Sequence, residues 1–183
     1  VASYANPNNA ANGVEALANF ISGGIYNTSI PEAYCAEGYI PTDLGNGKYG
    51  VKQGTFVARV NGVGYETIEA AFDALKDGDV VELLADVEFT KTYAITNITL
   101  NLNGGGFTVR QAATCNNQYA LFDITGGKVT INNVIFDGIK GGAVVRTVNT
   151  EFVMDNVTAQ NCEHTQIQGL FRLYGKNTIK NST

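Results

Sequence analysis

The chain has 183 residues, of which 44% are hydrophobic, 16% charged and 21 glycine, with a formal net charge of −5. Its twelve basic residues are scattered, which leaves no electrostatic footprint for a phosphate backbone, and no apolar run approaches the roughly 18 residues that a membrane-spanning helix needs. Nucleic acid and a membrane span are thereby excluded, and the polar surface must come mostly from Asn, Thr, Ser and Gln, a composition that suits repetitive β structure.

Residues 1–54 read as a coil-completing segment followed by a terminal β-hairpin. Asn19-Phe20-Ile21-Ser22-Gly23-Gly24 pairs a short strand with a double-glycine corner, the same order as Phe122-Asp123-Ile124-Thr125-Gly126-Gly127 further on. Residues 38–54 form a hairpin around Gly45-Asn46-Gly47. Tyr26, Tyr34, Tyr39 and Tyr49 either pack this hairpin on a coil end or stack on sugars or a neighbouring subunit.

Residues 55–183 read as a solenoid with an entry helix. Phe56–Val60 is strand-like, and Asn61-Gly62 supplies a tight turn. A helix is predicted over about 66–76, because Ile68, Phe72 and Leu75 recur at i, i+4 and i+7 and form one apolar face. Asp77-Gly78-Asp79 stops it, and Val80–Leu84 resumes β structure. Ala94–Asn103, the corner Gly104-Gly105-Gly106 and Phe107–Val109 then make an early coil.

The repeat emerges in the second half. Leu121–Ile131 aligns without a gap on Val144–Met154, a constant shift under which Phe122 matches Val145, Asp123 matches Arg146, and Val129 and Ile131 match Phe152 and Met154. Leu170–Ile179 forms a third copy that lacks one turn residue. Apolar and polar positions alternate in all three, the period of strands with one buried face. Two short strands per copy, joined by a Gly or Asn corner, cannot be repeated hairpins; they stack as coils, each bonded to the next at about 4.8 Å. The expected fold is all-β: a right-handed parallel β-helix with one short capping α-helix and a β-hairpin. Asn133, Asn156 and Asn181 recur two residues after the inward Ile131, Met154 and Ile179, and are expected to form a structural amide ladder from coil to coil.

No catalytic, cofactor-binding or metal site is expected. Asp123, Arg146 and Arg172 share one outward column, but a carboxylate beside a guanidinium is the pattern of a cross-coil ion pair, and paired acids for acid/base work are missing. His164, the only histidine, reads as a loop residue, and Asp77 and Asp79 fall short of a calcium ligand set. Cys35, Cys115 and Cys162 lie far apart, so either all are buried thiols or one disulfide leaves one thiol free.

Tyr65-Glu-Thr-Ile-Glu-Ala-Ala-Phe-Asp-Ala-Leu-Lys-Asp-Gly-Asp-Val80, followed by coils, resembles the N-terminal entry of pectate-lyase-like β-helix proteins. Phe20–Tyr26, Tyr34–Tyr39 and Gly45–Val51 are similar to the closing segment of β-helix repeat units in large surface proteins of Gram-positive gut bacteria. The resemblance implies an extracellular or cell-surface setting in a bacterium. A closing segment thus precedes an opening one, and the last coil lacks a cap. This predicts that one copy completes another, covalently in tandem or as a non-covalent homo-polymer, unless the chain is an excised fragment. The interface is expected at Val1, Phe20, Ile21 and Tyr26 on one side and Leu173, Ile179, Asn181 and Thr183 on the other. The leading functional expectation is a non-enzymatic structural module stacking head-to-tail into a filament or stalk. A carbohydrate-binding adhesin module that takes surface glycans is the alternative, and a fragment of a polysaccharide lyase or hydrolase is the third.

Overall fold

The computed structural model describes residues 19–164 and 169–183. Val1 therefore lies outside the described residues. The chain divides into two compact units, Val1–Thr55 and Phe56–Thr183.

The first unit is a small three-stranded antiparallel sheet in the order β1-β3-β2, with β1 at Ile25–Tyr26, β2 at Tyr39–Gly45 and β3 at Lys48–Gln53. The hairpin turns on Gly45, Asn46 and Gly47, at φ 78°, 52° and 68°. Three successive positive φ values need residues without a β-branch, which is why this tripeptide marks the turn. A 3₁₀ turn at Glu32–Tyr34 precedes Cys35, which forms a parallel bridge with Ile21. Ile21, Ile30, Cys35 and Val51 form the unit's own core, flanked by Tyr26, Tyr34 and Tyr39.

The second unit is a β-solenoid. It opens with β4 at Ala58–Val60 and β5 at Val63–Tyr65, an antiparallel hairpin on Asn61-Gly62, and β4 lies antiparallel against β6 at Asp79–Leu83. From there every long pairing is parallel. The strands are β7 (Val87–Phe89), β8 (Tyr93–Thr96), β9 (Thr99–Asn103), β10 (Thr108–Gln111), β11 (Ala120–Thr125), β12 (Lys128–Asp137), β13 (Lys140–Gly141), β14 (Ala143–Gln160), β15 (Glu163–His164) and β16 (Phe171–Lys180). They build three faces. β8, β11 and the starts of β14 and β16 make the first; β6, β9, the start of β12, the middle of β14 and the end of β16 make the second; β7, β10 and the ends of β12 and β14 make the third.

The register matches the sequence alignment residue for residue: Phe122 sits on Val145, Asp123 on Arg146, Val129 on Phe152 and Ile131 on Met154. That spacing holds only between those two coils. Tyr93 pairs with Phe122 and Val145 with Phe171, so the coils before and after are both longer in sequence. Between Tyr93 and Phe122 most of the extra residues lie in the corner between β10 and β11, where Cys115 N donates to Ala112 O and Asn117 N to Cys115 O, so the inward columns stay in phase.

Inward columns form the core. Val81, Leu102, Ile131 and Met154 stack on the second face, and Phe122 and Val145 on the first; all are buried. Phe72, Phe89, Tyr93, Phe122, Phe136 and Phe171 form an aromatic staircase along the axis, with centroids of successive contacts between 5.0 and 6.5 Å. Edge-on and tilted contacts dominate, as ring quadrupoles favour.

The helix α1 spans Ile68–Asp73 and is shorter than the stretch over 66–76 read from apolar spacing. Thr67 is its N-cap and accepts a hydrogen bond from Ala70 N at 3.2 Å. At the other end Asp79 Oδ2 accepts a hydrogen bond from Lys76 N at 2.7 Å, which fixes residues 76–79 as a turn before the helix can continue. Ile68, Ala71 and Phe72 are buried, and Leu75, past the helix end, still packs on the core. The helix closes the interior of the first coil.

Among the described residues, every non-glycine residue at positive φ is an asparagine: Asn19, Asn46, Asn61, Asn97, Asn133, Asn149, Asn156, Asn161 and Asn181. Most of them turn the solenoid from one face to the next. Asparagine tolerates the left-handed region because its short side chain bonds locally, so it serves as a corner residue where glycine would cost more chain entropy.

Candidate interaction site at the last coil

The corner asparagines between the second and third faces carry the expected ladder positions. Asn156 Nδ2 donates to Asn133 Oδ1 at 2.8 Å, joining two coils. Asn181 Nδ2 donates to Asp155 Oδ1 at 2.9 Å, so the amide of the last coil is held by the carboxylate beside Asn156. All three asparagines share the left-handed backbone, at φ 55°, 52° and 47°.

Several outward side chains of neighbouring coils are paired with opposite charge. Arg146 Nη1 lies 2.7 Å from Asp123 Oδ1 on the first face. On the second, Glu151 sits between Lys128 at 3.2 Å and Lys176 at 3.5 Å, and those two ammonium groups, Lys128 first, hold its carboxyl below the usual range. On the third, Arg110 bridges Asp86 at 3.2 Å and Asp137 at 3.4 Å. Such exposed pairs mainly fix register.

The candidate chemical residues fall into the same structural pattern. Asp77 Oδ1 accepts from Thr99 N at 2.6 Å, and Asp79 Oδ1 accepts from Asn61 Nδ2 at 2.7 Å, so both carboxylates tie the helix exit to the first coil. His164 Nε2 is 3.4 Å from Arg172 Nη2, and Arg172 is itself buried. No group of three or more His, Cys, Asp or Glu able to hold a metal exists among the described residues. The three cysteines are free: Cys35 and Cys115 are buried, Cys162 is half-buried, and burial pushes each thiol above its ordinary value.

The last coil differs from those beneath it. Leu173 continues the column of Ile95, Ile124 and Thr147, and Ile179 continues that of Leu102, Ile131 and Met154, yet Leu173 is only half-buried and Ile179 is 54% exposed. Asn177 stands where Leu100, Val129 and Phe152 stand in earlier coils. Its Nδ2 donates to Gly175 O at 2.9 Å and to Leu173 O at 3.3 Å. The corner that holds Asn149 in β14 is one residue shorter in β16, and Thr147 Oγ1 closes the gap by accepting from Tyr174 N at 3.0 Å. Beyond β16 the backbone continues to the third face, where Thr183 N donates to Val157 O and Ala159 N donates to Thr183 O. β16 pairs with β14 alone among the described residues.

Two features of this coil escape a reading by periodicity. Arg172, Lys176 and Lys180 give residues 170–183 three bases and no acid, a bias visible only when charge is counted coil by coil. The exposure of Tyr174, at 56%, follows from the shortened corner.

The class that these features define is an all-β solenoid module whose first coil is closed by a helix. Compared with protein-family models, with curated proteins and with solved structures, the chain matches none.

Proposed function

We propose that this chain is a non-enzymatic, extracellular structural module that stacks head-to-tail through its last coil into a filament or cell-surface stalk. The carrying observation is the in-register stacking of parallel coils: the inward columns run from Val81 through Leu102, Ile131 and Met154 to Ile179, and from Ile95 through Ile124 and Thr147 to Leu173, so each coil presents the same edge to the next. An open parallel edge over an apolar interior is a template for a further coil. A heterologous contact of this kind repeats indefinitely when its rotation does not close. The winding is right-handed, of the pectate-lyase-like kind, and the setting is a bacterial surface. The outward acids are matched to bases rather than to other acids, which supports scaffolding over catalysis.

Sedimentation velocity over a concentration series, with negative-stain microscopy, tests this reading. The expected outcome is concentration-dependent polymers, and Ile179→Asp, which places a charge on the contact, weakens association by about tenfold or more. A wild-type chain that stays monomeric at high concentration overturns it. A second reading, a glycan-binding flank, draws on the exposed rings of Tyr119 and Tyr174; a glycan array with Tyr119→Ala as control tests it.

A further inference from the structure

We infer that Asn46 is a site of spontaneous covalent modification, at which the side-chain amide is lost to attack by the backbone nitrogen of Gly47 and the tip of the first hairpin becomes aspartate and isoaspartate. The dipeptide Asn-Gly occurs four times, at 12–13, 46–47, 61–62 and 103–104, and the first of these lies outside the described residues. The other three differ in how the fold holds the two reacting groups.

In this reaction the glycine nitrogen bonds to Cγ of the preceding asparagine. The bond from Cγ to Nδ2 breaks, ammonia leaves with the proton of the glycine amide, and a five-membered succinimide remains. Water then opens either carbonyl of the ring, giving aspartate or isoaspartate. The carboxamide must be free to turn towards its own main chain, and the glycine nitrogen must not be donating elsewhere. Glycine favours the step because no Cβ obstructs the approach.

Asn46 meets these conditions. It is exposed at φ 52°, and its side chain makes no hydrogen bond among the described residues. Gly47 N donates to nothing among them, and no atom beyond the chain neighbours lies within 4 Å of where a Cβ would stand. Exposed turn tips of this kind are where a chain tolerates local rearrangement best.

Asn61-Gly62 is a matched comparison. It turns the β4–β5 hairpin in the same left-handed conformation, at φ 48° and 81°, and Gly62 is as open as Gly47. Its carboxamide, however, is held at both ends: Nδ2 donates to Asp79 Oδ1 at 2.7 Å, and Oδ1 accepts from Val80 N at 2.9 Å. Turning Cγ towards Gly62 N breaks both bonds. Asn103-Gly104 is blocked at the nucleophile instead, because Gly104 N donates to Asn132 O at 2.9 Å and the glycine is buried against Val134. Asn103 Oδ1 also accepts from Gly105 N at 3.2 Å. Among the described residues, Asn46-Gly47 alone is left reactive. Isoaspartate there adds a main-chain carbon to the turn that pairs Gly45 with Lys48, and either product sets a carboxylate two residues from Lys48, whose Nζ donates to Asn27 Oδ1 at 2.6 Å.

Peptide mapping by mass spectrometry, after the full chain is incubated in mildly alkaline heavy-oxygen water, follows every site at once. Label is expected to enter at Asn46, with Asn61 and Asn103 slower by about tenfold or more, since each must first give up hydrogen bonds. The chain unfolded in urea is expected to react at similar rates at all three. Asp79→Ala, its fold verified by circular dichroism, frees Nδ2 of Asn61 and is expected to speed that site while leaving Asn46 unchanged. Asn61 or Asn103 reacting as fast as Asn46 in the folded wild type overturns the proposal. So does an Asn46 that stays intact while the unfolded chain reacts, or an Asn61 no faster in folded Asp79→Ala.

Discussion

At the scale of single residues, asparagine does two jobs at once, holding a left-handed corner and bonding to the coil beneath. Asn156 joins them most clearly, at φ 52° with its amide 2.8 Å from Asn133 Oδ1. Asn156→Gly keeps the backbone conformation and loses the bond, whereas Asn156→Ala loses the bond and strains the backbone. The expected costs are about 1 kcal/mol for the first and about 2–3 kcal/mol for the second, read from denaturant midpoints. Tyr93 is a second test. Burial pushes its phenol up to about 12 from an ordinary 10.0. The unfolded phenol ionises first, so the native state holds the extra proton and stability falls as pH rises from 10.0 towards about 12. Because the chain has no tryptophan, tyrosinate absorbance can follow the titration, and it should show a component ionising near pH 12 that Tyr93→Phe removes.

At the scale of elements, the strands were legible because their alternation and their gapless match from one copy to the next are strictly local signals. The predicted pairs Phe122 with Val145 and Ile131 with Met154 are the observed ones. The helix was legible in kind but not in length: the hydrogen bond from Lys76 N to Asp79 Oδ2 ends it early, and apolar spacing carries no trace of such a bond. The loop lengths between coils were hidden for a related reason, since extruded corner residues have no periodicity. Of the candidate site, the apolar members Leu173 and Ile179 were legible from the column pattern and the missing turn residue from the alignment of copies, while the closure of that corner by Thr147 depends on a contact between coils. The aromatic staircase is where the elements are most tightly bound to one another. Phe122 is buried and touches the rings of Phe72, Phe89 and Phe136, so one side chain links helix, first face and third face. Phe122→Ala is expected to cost about 3–5 kcal/mol, read as a loss of denaturant midpoint.

At the scale of the whole molecule, stability should fail at low pH. Asp86 is held below its ordinary 3.8, first by the hydrogen bond from Thr108 N and then by Arg110. Glu151 lies below its ordinary 4.5 through Lys128 and Lys176. Burial pulls Glu69 upward, but hydrogen bonds from Thr90 N and Oγ1 outweigh it and leave the carboxyl lowered. Each group binds its proton more weakly when folded, so its contribution is complete above the ordinary values of 3.8 and 4.5 and is lost as pH falls through the folded ones. Thermal midpoints should therefore be level from near neutrality down to about pH 5 and drop below about pH 4. Glu151→Gln should flatten part of that drop.

The uneven coil lengths carry a practical consequence. Because columns stay in phase between coils that differ in length, the fold keeps its register whatever leaves and re-enters at a permissive corner. The bend between β10 and β11 is such a place, with Ala113 and Thr114 both exposed, whereas Gly127 lies against the backbone of Ile98 and leaves no space. A foreign peptide grafted between Ala113 and Thr114 would hang from the flank like a pennant on a mast, borne by the scaffold without entering its interior.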